Sequence, residues 1–104
     1  MHVLLKVGDF QLDEKANVLY VGKNSISLSE NEGIIMKALV KAFPSVVKKE
    51  ELFNLLWGSS HYVDKNILQV NMTRLRKTLD EVGLSNEIQT VRGVGYKLIG
   101  GGCE

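Results

Sequence analysis

The sequence predicts a small α+β domain, on the basis of three patterns. The first 28 residues alternate between apolar and polar side chains, the middle of the chain carries apolar residues at helical spacing, and a glycine-rich turn separates two apolar runs near the end. We therefore expect a sheet first, three helices next and a hairpin last. A chain of 104 residues with 44% hydrophobic residues is typical of one globular domain, expected over residues 1–104.

Four short apolar runs indicate the N-terminal sheet. They are separated by turn residues, among them Gly8, Asn17 and Gly22. Alternation with a period of two, interrupted every six to eight positions, predicts a small antiparallel meander. The runs lie at residues 3–7, 10–12, 18–20 and 26–28.

A capping signal and a proline bound the first helix. Ser29 and Glu32 have the S-x-x-E spacing of a capping box, in which each side chain satisfies a backbone N–H of the other residue. Pro44 disfavours helical backbone in the residue before it, so the helix should not continue past Phe43.

Two further helices are expected. The first covers residues 49–57, with Gly58 placed to end it. The second is the longest periodic segment of the chain, residues 65–82, which Gly83 should stop. Near the C-terminus, the apolar residues on either side of residues 92–95 predict a β-hairpin.

Positive charge is concentrated late in the chain. The formal net charge is only +1, but residues 65–99 contain all three arginines. Arginine has a planar fork that suits phosphate and guanine, so this segment is a candidate for binding nucleic acid. Such a charge density is also common on a solvated helix. The basic residues are Lys65, Arg74, Arg76, Lys77, Arg92 and Lys97, and the acidic ones are Asp80, Glu81 and Glu87.

A helical wheel separates residues 65–82 into a core face and an outward face. The core face holds Leu68, Met72, Leu75, Leu79 and Val82. The outward face holds Asn66, Val70, Thr73, Arg74 and Lys77, with Asn71 and Arg76 on opposite flanks. Arginine can pair with guanine, asparagine with adenine, and a small aliphatic side chain with the thymine methyl. Burial in the core does not explain the apolar Val70 on the outward face, whereas contact with a thymine methyl would. The other outward residues could occur on any solvated helix.

The order of these elements is the plan of a winged helix-turn-helix. In that plan one helix enters a major groove and a hairpin, the wing, reaches the adjacent minor groove. Arg92 in the predicted turn would then meet a narrow, strongly negative minor groove. The alternative is an ordinary exposed turn arginine.

Catalytic, metal and cofactor chemistry is not expected. Cys103 is the only cysteine, His2 and His61 are isolated, and no CxxC or HExxH motif occurs. We predict a protein that is not an enzyme and has no cofactor. No apolar run reaches 18 residues, so we expect no contact with a membrane and a cytoplasmic location.

Several motifs resemble the effector domain of OmpR/PhoB-type response regulators. Residues 71–79 read NMTRLRKTL and residues 88–96 read IQTVRGVGY, while LSENE at 28–32 leads the first helix and LWG at 56–58 closes the second. The sequence VDKNILQVN at residues 63–71, with LSENE, is similar to the branch typified by BceR and GraR. This resemblance implies a four-stranded antiparallel sheet, a three-helix core and a C-terminal hairpin wing.

The resemblance also implies residue roles, with residues 65–82 as the recognition helix. Base contacts are expected from Asn66, Val70, Thr73 and Arg74. Contacts to the DNA backbone or minor groove are expected from Trp57, Asn71, Arg76, Lys77, Thr90 and Arg92. The loop that meets RNA polymerase in some members corresponds to Ser59, Ser60, His61 and Tyr62.

The resemblance implies double-stranded promoter DNA with tandem half-sites as a partner. RNA polymerase is a second implied partner. A receiver domain, absent from this chain, and a sensor kinase would act in the full-length protein of a two-component system. The isolated domain is expected to be a monomer. The competing interpretation is a winged-helix interaction module whose basic helix binds an acidic protein.

Overall fold

A computed structural model describes residues 4–7, 10–59, 66–81, 83 and 87–99. Within these ranges the chain forms an N-terminal sheet, three helices and a second, C-terminal sheet, in that order. The strands are β1 Leu4–Val7, β2 Phe10–Asp13, β3 Val18–Val21, β4 Asn24–Ser27, β5 Val47–Lys48, β6 Ile88–Val91 and β7 Gly95–Leu98. The helices are α1 Glu30–Ala42, α2 Lys49–Ser59 and α3 Ile67–Asp80.

The N-terminal sheet is the predicted antiparallel meander. Its four strands lie in the order β1-β2-β3-β4, and each pairs with the next along the chain. Alternate side chains point to the core, among them Phe10, Leu12, Leu19 and Ile26. The period of two in the sequence therefore reports a sheet with one buried face.

Helix α1 begins with the predicted capping box. The backbone N–H of Glu32 donates to Ser29 Oγ at 3.2 Å, and the Ser29 N–H donates to Glu32 Oε1 at 2.8 Å. The helix ends at Ala42, with Phe43 as its C-cap, so the predicted stop before Pro44 is confirmed. On its outer side, Lys37 pairs with Glu14 of the β2–β3 turn at 2.8 Å, and this hydrogen bond lowers the pKa of the Glu14 carboxyl.

Helix α2 differs from its prediction at the C-terminal end. It runs through Gly58 to Ser59, two residues past the expected last residue. A glycine in a helix costs about 1 kcal/mol relative to alanine, which weakens the last turn without ending it. For α3, both predicted ends lie outside the described residues, at Lys65 and Val82, and the observed helix covers residues 67–80.

The C-terminal sheet has one more strand than the predicted hairpin. Strand β7 lies in the middle, with β6 on one side and β5 on the other. Val47 pairs with Tyr96, and the N–H of Lys49, the first residue of α2, donates to the Val94 carbonyl at 3.1 Å. A strand of two residues is too short to produce a periodic signal, which is why the sequence did not predict it.

All three helices and both sheets share one hydrophobic core. Fully buried residues from α1, α2, α3 and β7 meet there, including Leu39, Leu52, Leu75 and Leu98. This packing fixes which face of α3 points outward. No helix in the described part of the chain is long and apolar enough to cross a membrane.

Candidate nucleic-acid interface

The surface of α3 that faces away from the core is the centre of the candidate interface. The wheel placed four described residues in the core, and Leu68, Met72, Leu75 and Leu79 are all buried. On the opposite side, Val70 is 43% exposed and lies among polar side chains. The exposed set predicted from the wheel, Asn66, Val70, Thr73, Arg74 and Lys77, is exposed in the structure. The predicted phase of α3 is thus confirmed.

Part of this surface forms a shallow depression along α3. We call it the base-reading face, meaning Asn66, Val70, Thr73 and Arg74. These four residues and Gln69 line a space of about 490 Å³. It combines hydrogen-bonding groups and one apolar contact on a single helical face, which is the mixture that base edges require.

Asn71 does not belong to the exposed surface, contrary to the expected contact with DNA. It is only 6% exposed, and its Nδ2 donates to the Ile67 carbonyl at 2.8 Å. Ile67 is buried on the same flank, 7% exposed, although the wheel did not place it in the core. On this flank Thr78 Oγ1 lies 3.0 Å from Glu32 Oε2, so α1 covers it. The buried face of α3 is therefore wider than the wheel suggested, because α1 packs against this flank.

Arg76 lies on the opposite flank and turns toward the hairpin. Its Nη2 donates to the Ile88 carbonyl at 3.1 Å and to Thr90 Oγ1 at 2.6 Å. Its guanidinium carbon also lies 5.7 Å from the centre of the Tyr96 ring, within the range of a cation–π contact. Tyr96 is buried in the core at 9% exposed, and the sequence did not predict its contact with Arg76.

The hairpin carries Arg92 at its tip. The Val94 N–H donates to the Val91 carbonyl at 3.0 Å, which closes a four-residue turn, and Gly93 in the third position has φ +76°. Such a turn favours glycine because a positive φ is strained for other residues. Arg92 is exposed beside it, while Val94 is 45% exposed. The predicted hairpin and the outward position of Arg92 are confirmed.

Two more predicted contact residues are exposed. Trp57 in the last turn of α2 is 46% exposed, and its ring lies 5.3 Å from that of Phe53. Thr90 on β6 is exposed and accepts the hydrogen bond from Arg76. Between α2, α3 and β7 lies a groove of about 570 Å³, lined by polar and apolar side chains. The lining includes Lys49, Phe53, Gln69, Thr73, Arg76 and Tyr96.

The structure describes only the first residue of the predicted polymerase-facing loop. Ser59 is the last residue of α2, and Ser60, His61 and Tyr62 lie outside the described residues. Among the residues that are described, no group of three or more His, Cys, Asp or Glu side chains is placed to hold a metal ion.

Comparison with known proteins places this arrangement in a family. Residues 22–98 match the family model described as "Transcriptional regulatory protein, C terminal". The sensory transduction protein BceR of Halalkalibacterium halodurans is 39% identical over 85 residues, which cover 82% of this chain and 37% of BceR. The chain therefore spans little more than a third of the length of BceR. The identity confirms the predicted resemblance to the branch that BceR typifies.

Two solved structures share the fold. The C-terminal domain of the nisin resistance regulator NsrR, a lantibiotic response regulator, superposes with a TM-score of 0.77 at 40% identity, covering 90% of this chain and 94% of that domain. The DNA-binding domain of the response regulator AdeR, in complex with an intercistronic region, gives 0.76 at 25% identity, covering 90% and 97%. With its meander, three helices and hairpin wing, the chain belongs to the OmpR/PhoB-type family of transcriptional regulatory C-terminal domains, a DNA-binding family of regulators and not of enzymes.

Proposed function

We propose that this chain reads a specific promoter sequence with α3 in the major groove and Arg92 in the adjacent minor groove. The proposal rests above all on Val70, an apolar side chain that α3 exposes between polar ones on the side opposite the buried leucines. The DNA complex of the AdeR domain, which has the same fold, supports binding to duplex DNA.

The base-reading face supplies the direct contacts. The forked guanidinium of Arg74 suits O6 and N7 of guanine, and Val70 suits the methyl group of thymine. Asn66 and Thr73 flank them on the same depression and can bond to base edges within reach. Each good bidentate pair discriminates against the wrong base by about 1 to 3 kcal/mol.

Contacts to the DNA backbone surround that face. Lys77 lies one turn beyond Thr73 on α3, Trp57 is exposed on α2, and Thr90 is exposed on the wing. These groups position the protein without reading sequence. Arg92 at the tip of the hairpin reaches past the backbone, where a narrow minor groove attracts an arginine.

The remaining partners belong to the longer protein. By relation to BceR and NsrR, we infer a receiver domain and a sensor kinase that control occupancy of tandem half-sites about one helical turn apart. Contact between RNA polymerase and the loop that begins at Ser59 is part of the same proposal. The proposal also includes a monomeric state for the isolated domain. It further includes a cytoplasmic location, because promoter DNA is found there.

Selection of bound duplexes from a random pool tests sequence-specific reading. A single enriched motif with an A/T-rich position beside it supports the proposal, and an unenriched pool contradicts it. Salt dependence of binding provides the second measurement, because each neutralised phosphate contributes a slope of about −0.9 in log K against log salt. Failure to bind any duplex at low salt would favour the rival interpretation, a basic helix that binds an acidic protein.

A further inference from the structure

We propose that Arg76 is a positioning residue, which holds the wing in place against α3 so that Arg92 can read the minor groove. This inference rests on the proposed function, since it assumes that α3 and the wing act on neighbouring grooves. It changes the role expected for Arg76, which was a contact with DNA. Its Nη2 is already hydrogen-bonded to the wing of the same protein.

The contacts of Arg76 reach both strands of the hairpin. Its Nη2 donates to the Ile88 carbonyl and to Thr90 Oγ1, which lie two residues apart on β6. The same guanidinium lies over the ring of Tyr96 on β7, at 5.7 Å from its centroid. Three contacts from one rigid planar group restrict both the distance and the angle between helix and hairpin.

The hairpin transmits this restriction to its tip. Thr90 is two residues before Arg92, and β6 pairs with β7 along its whole length, from Ile88–Leu98 to Val91–Gly95. A paired hairpin moves as one unit, so fixing its base at residues 88–90 also fixes the direction in which Arg92 points. The angle between helix and hairpin then decides whether both grooves can be read at once.

Lysine replaces arginine poorly in this role. Both hydrogen bonds come from the single nitrogen Nη2, so an ammonium could donate to the same two oxygens, but it is a point charge on a flexible stem and lacks the rigid plane that lies over the Tyr96 ring. Lysine can, however, replace arginine as a simple phosphate contact. The pair Arg76→Lys and Arg76→Gln therefore separates the positioning role from direct contact with DNA.

A double-mutant cycle with Arg92→Ala measures the coupling on a duplex with an A/T-rich flank. We expect Arg92→Ala to weaken binding about fivefold in the wild-type chain, and by less than about twofold beside Arg76→Gln or Arg76→Lys. Lys77→Gln is the matched control, because it removes a positive charge from the next position of α3 and should leave the full effect of Arg92→Ala. Arg76→Lys should also keep the wild-type salt slope.

The opposite pattern would overturn the positioning role. If the effects of the Arg76 and Arg92 substitutions multiply independently, or if Arg76→Lys restores the sensitivity to Arg92→Ala, then Arg76 acts as a separate phosphate contact. Thermal melting of each variant confirms that the cycle compares folded proteins.

Hydrogen exchange without DNA tests the same link independently of the proposed function. We expect Arg76→Gln to speed exchange of the β6 and β7 amides about fivefold, while Lys77→Gln leaves them unchanged. Unchanged exchange in Arg76→Gln would reject the link to the wing. Faster exchange in a chain that binds no duplex would support the link while rejecting the DNA-reading function.

Discussion

The side-chain amide of Asn17 fills the space in front of Gly33, in the first turn of α1. Its Nδ2 donates to the carbonyls of Leu28 and Ser29, at 3.2 and 2.9 Å, and a Cβ at position 33 would overlap its Oδ1. Asn17 itself has φ +58° in the turn between β2 and β3. The N-terminal sheet is thereby seated against the start of the first helix.

Substitution Gly33→Ala should destabilise the domain. Alanine has the better helix propensity by about 1 kcal/mol, but its methyl group would displace an amide that makes two hydrogen bonds. We expect a net loss of about 1 to 3 kcal/mol in the free energy of unfolding, measured by urea denaturation. The double variant with Asn17→Gly, which tolerates the positive φ and vacates the space, should lose less than the sum of the single losses. Strict additivity would show that the two positions do not interact.

A pair of substitutions on α3 tests its orientation. Leu75 is fully buried, so Leu75→Ala should cost about 2 to 5 kcal/mol and lower Tm markedly. Val70 is 43% exposed, so Val70→Ala should change stability by no more than about 0.5 kcal/mol while weakening DNA binding. Melting of the two proteins side by side is the measurement. A stable Leu75→Ala protein would mean that the buried face is assigned incorrectly.

Arg74→Ala should reduce sequence discrimination. Loss of a bidentate base contact is worth about 1 to 3 kcal/mol on the specific site and leaves non-specific binding nearly unchanged. Binding to the selected duplex and to a scrambled one, at one fixed salt concentration, measures the difference. Equal weakening on both duplexes would place Arg74 on the backbone instead.

Lys77→Ala should behave in the opposite way. A lysine that contacts a phosphate contributes similarly on every sequence, so its removal lowers affinity on both duplexes and flattens the salt slope by about one contact. Titrations at several salt concentrations provide the slope. An unchanged slope would remove Lys77 from the backbone contacts.

Much of the fold could be predicted because local patterns carry it. The capping box of Ser29 and Glu32, the stop before Pro44 and the hairpin turn at residues 92–95 each depend on neighbouring residues only. Strand β5 could not be predicted, since its two residues become a strand only by pairing with β7, about fifty positions later in the chain.

The candidate site shows the same division. The exposure of Val70 and Arg74 follows from helical periodicity, which the sequence displays directly. The burial of Asn71 and the contacts of Arg76 depend on α1 and on the wing, which approach α3 from opposite sides. Only the tertiary structure could show which flank residues face neighbouring elements.

Gly95 has a further consequence for exchanging parts between related regulators. A Cβ at this position would collide with the carbonyl of Val47, so β5 and β7 run in unusually close contact, and Lys49 continues that contact into α2. A chimera that imports a foreign hairpin must therefore import residues 47–49 with it. Grafting the hairpin alone would separate β7 from a strand shaped to fit it and would disturb the start of α2 as well.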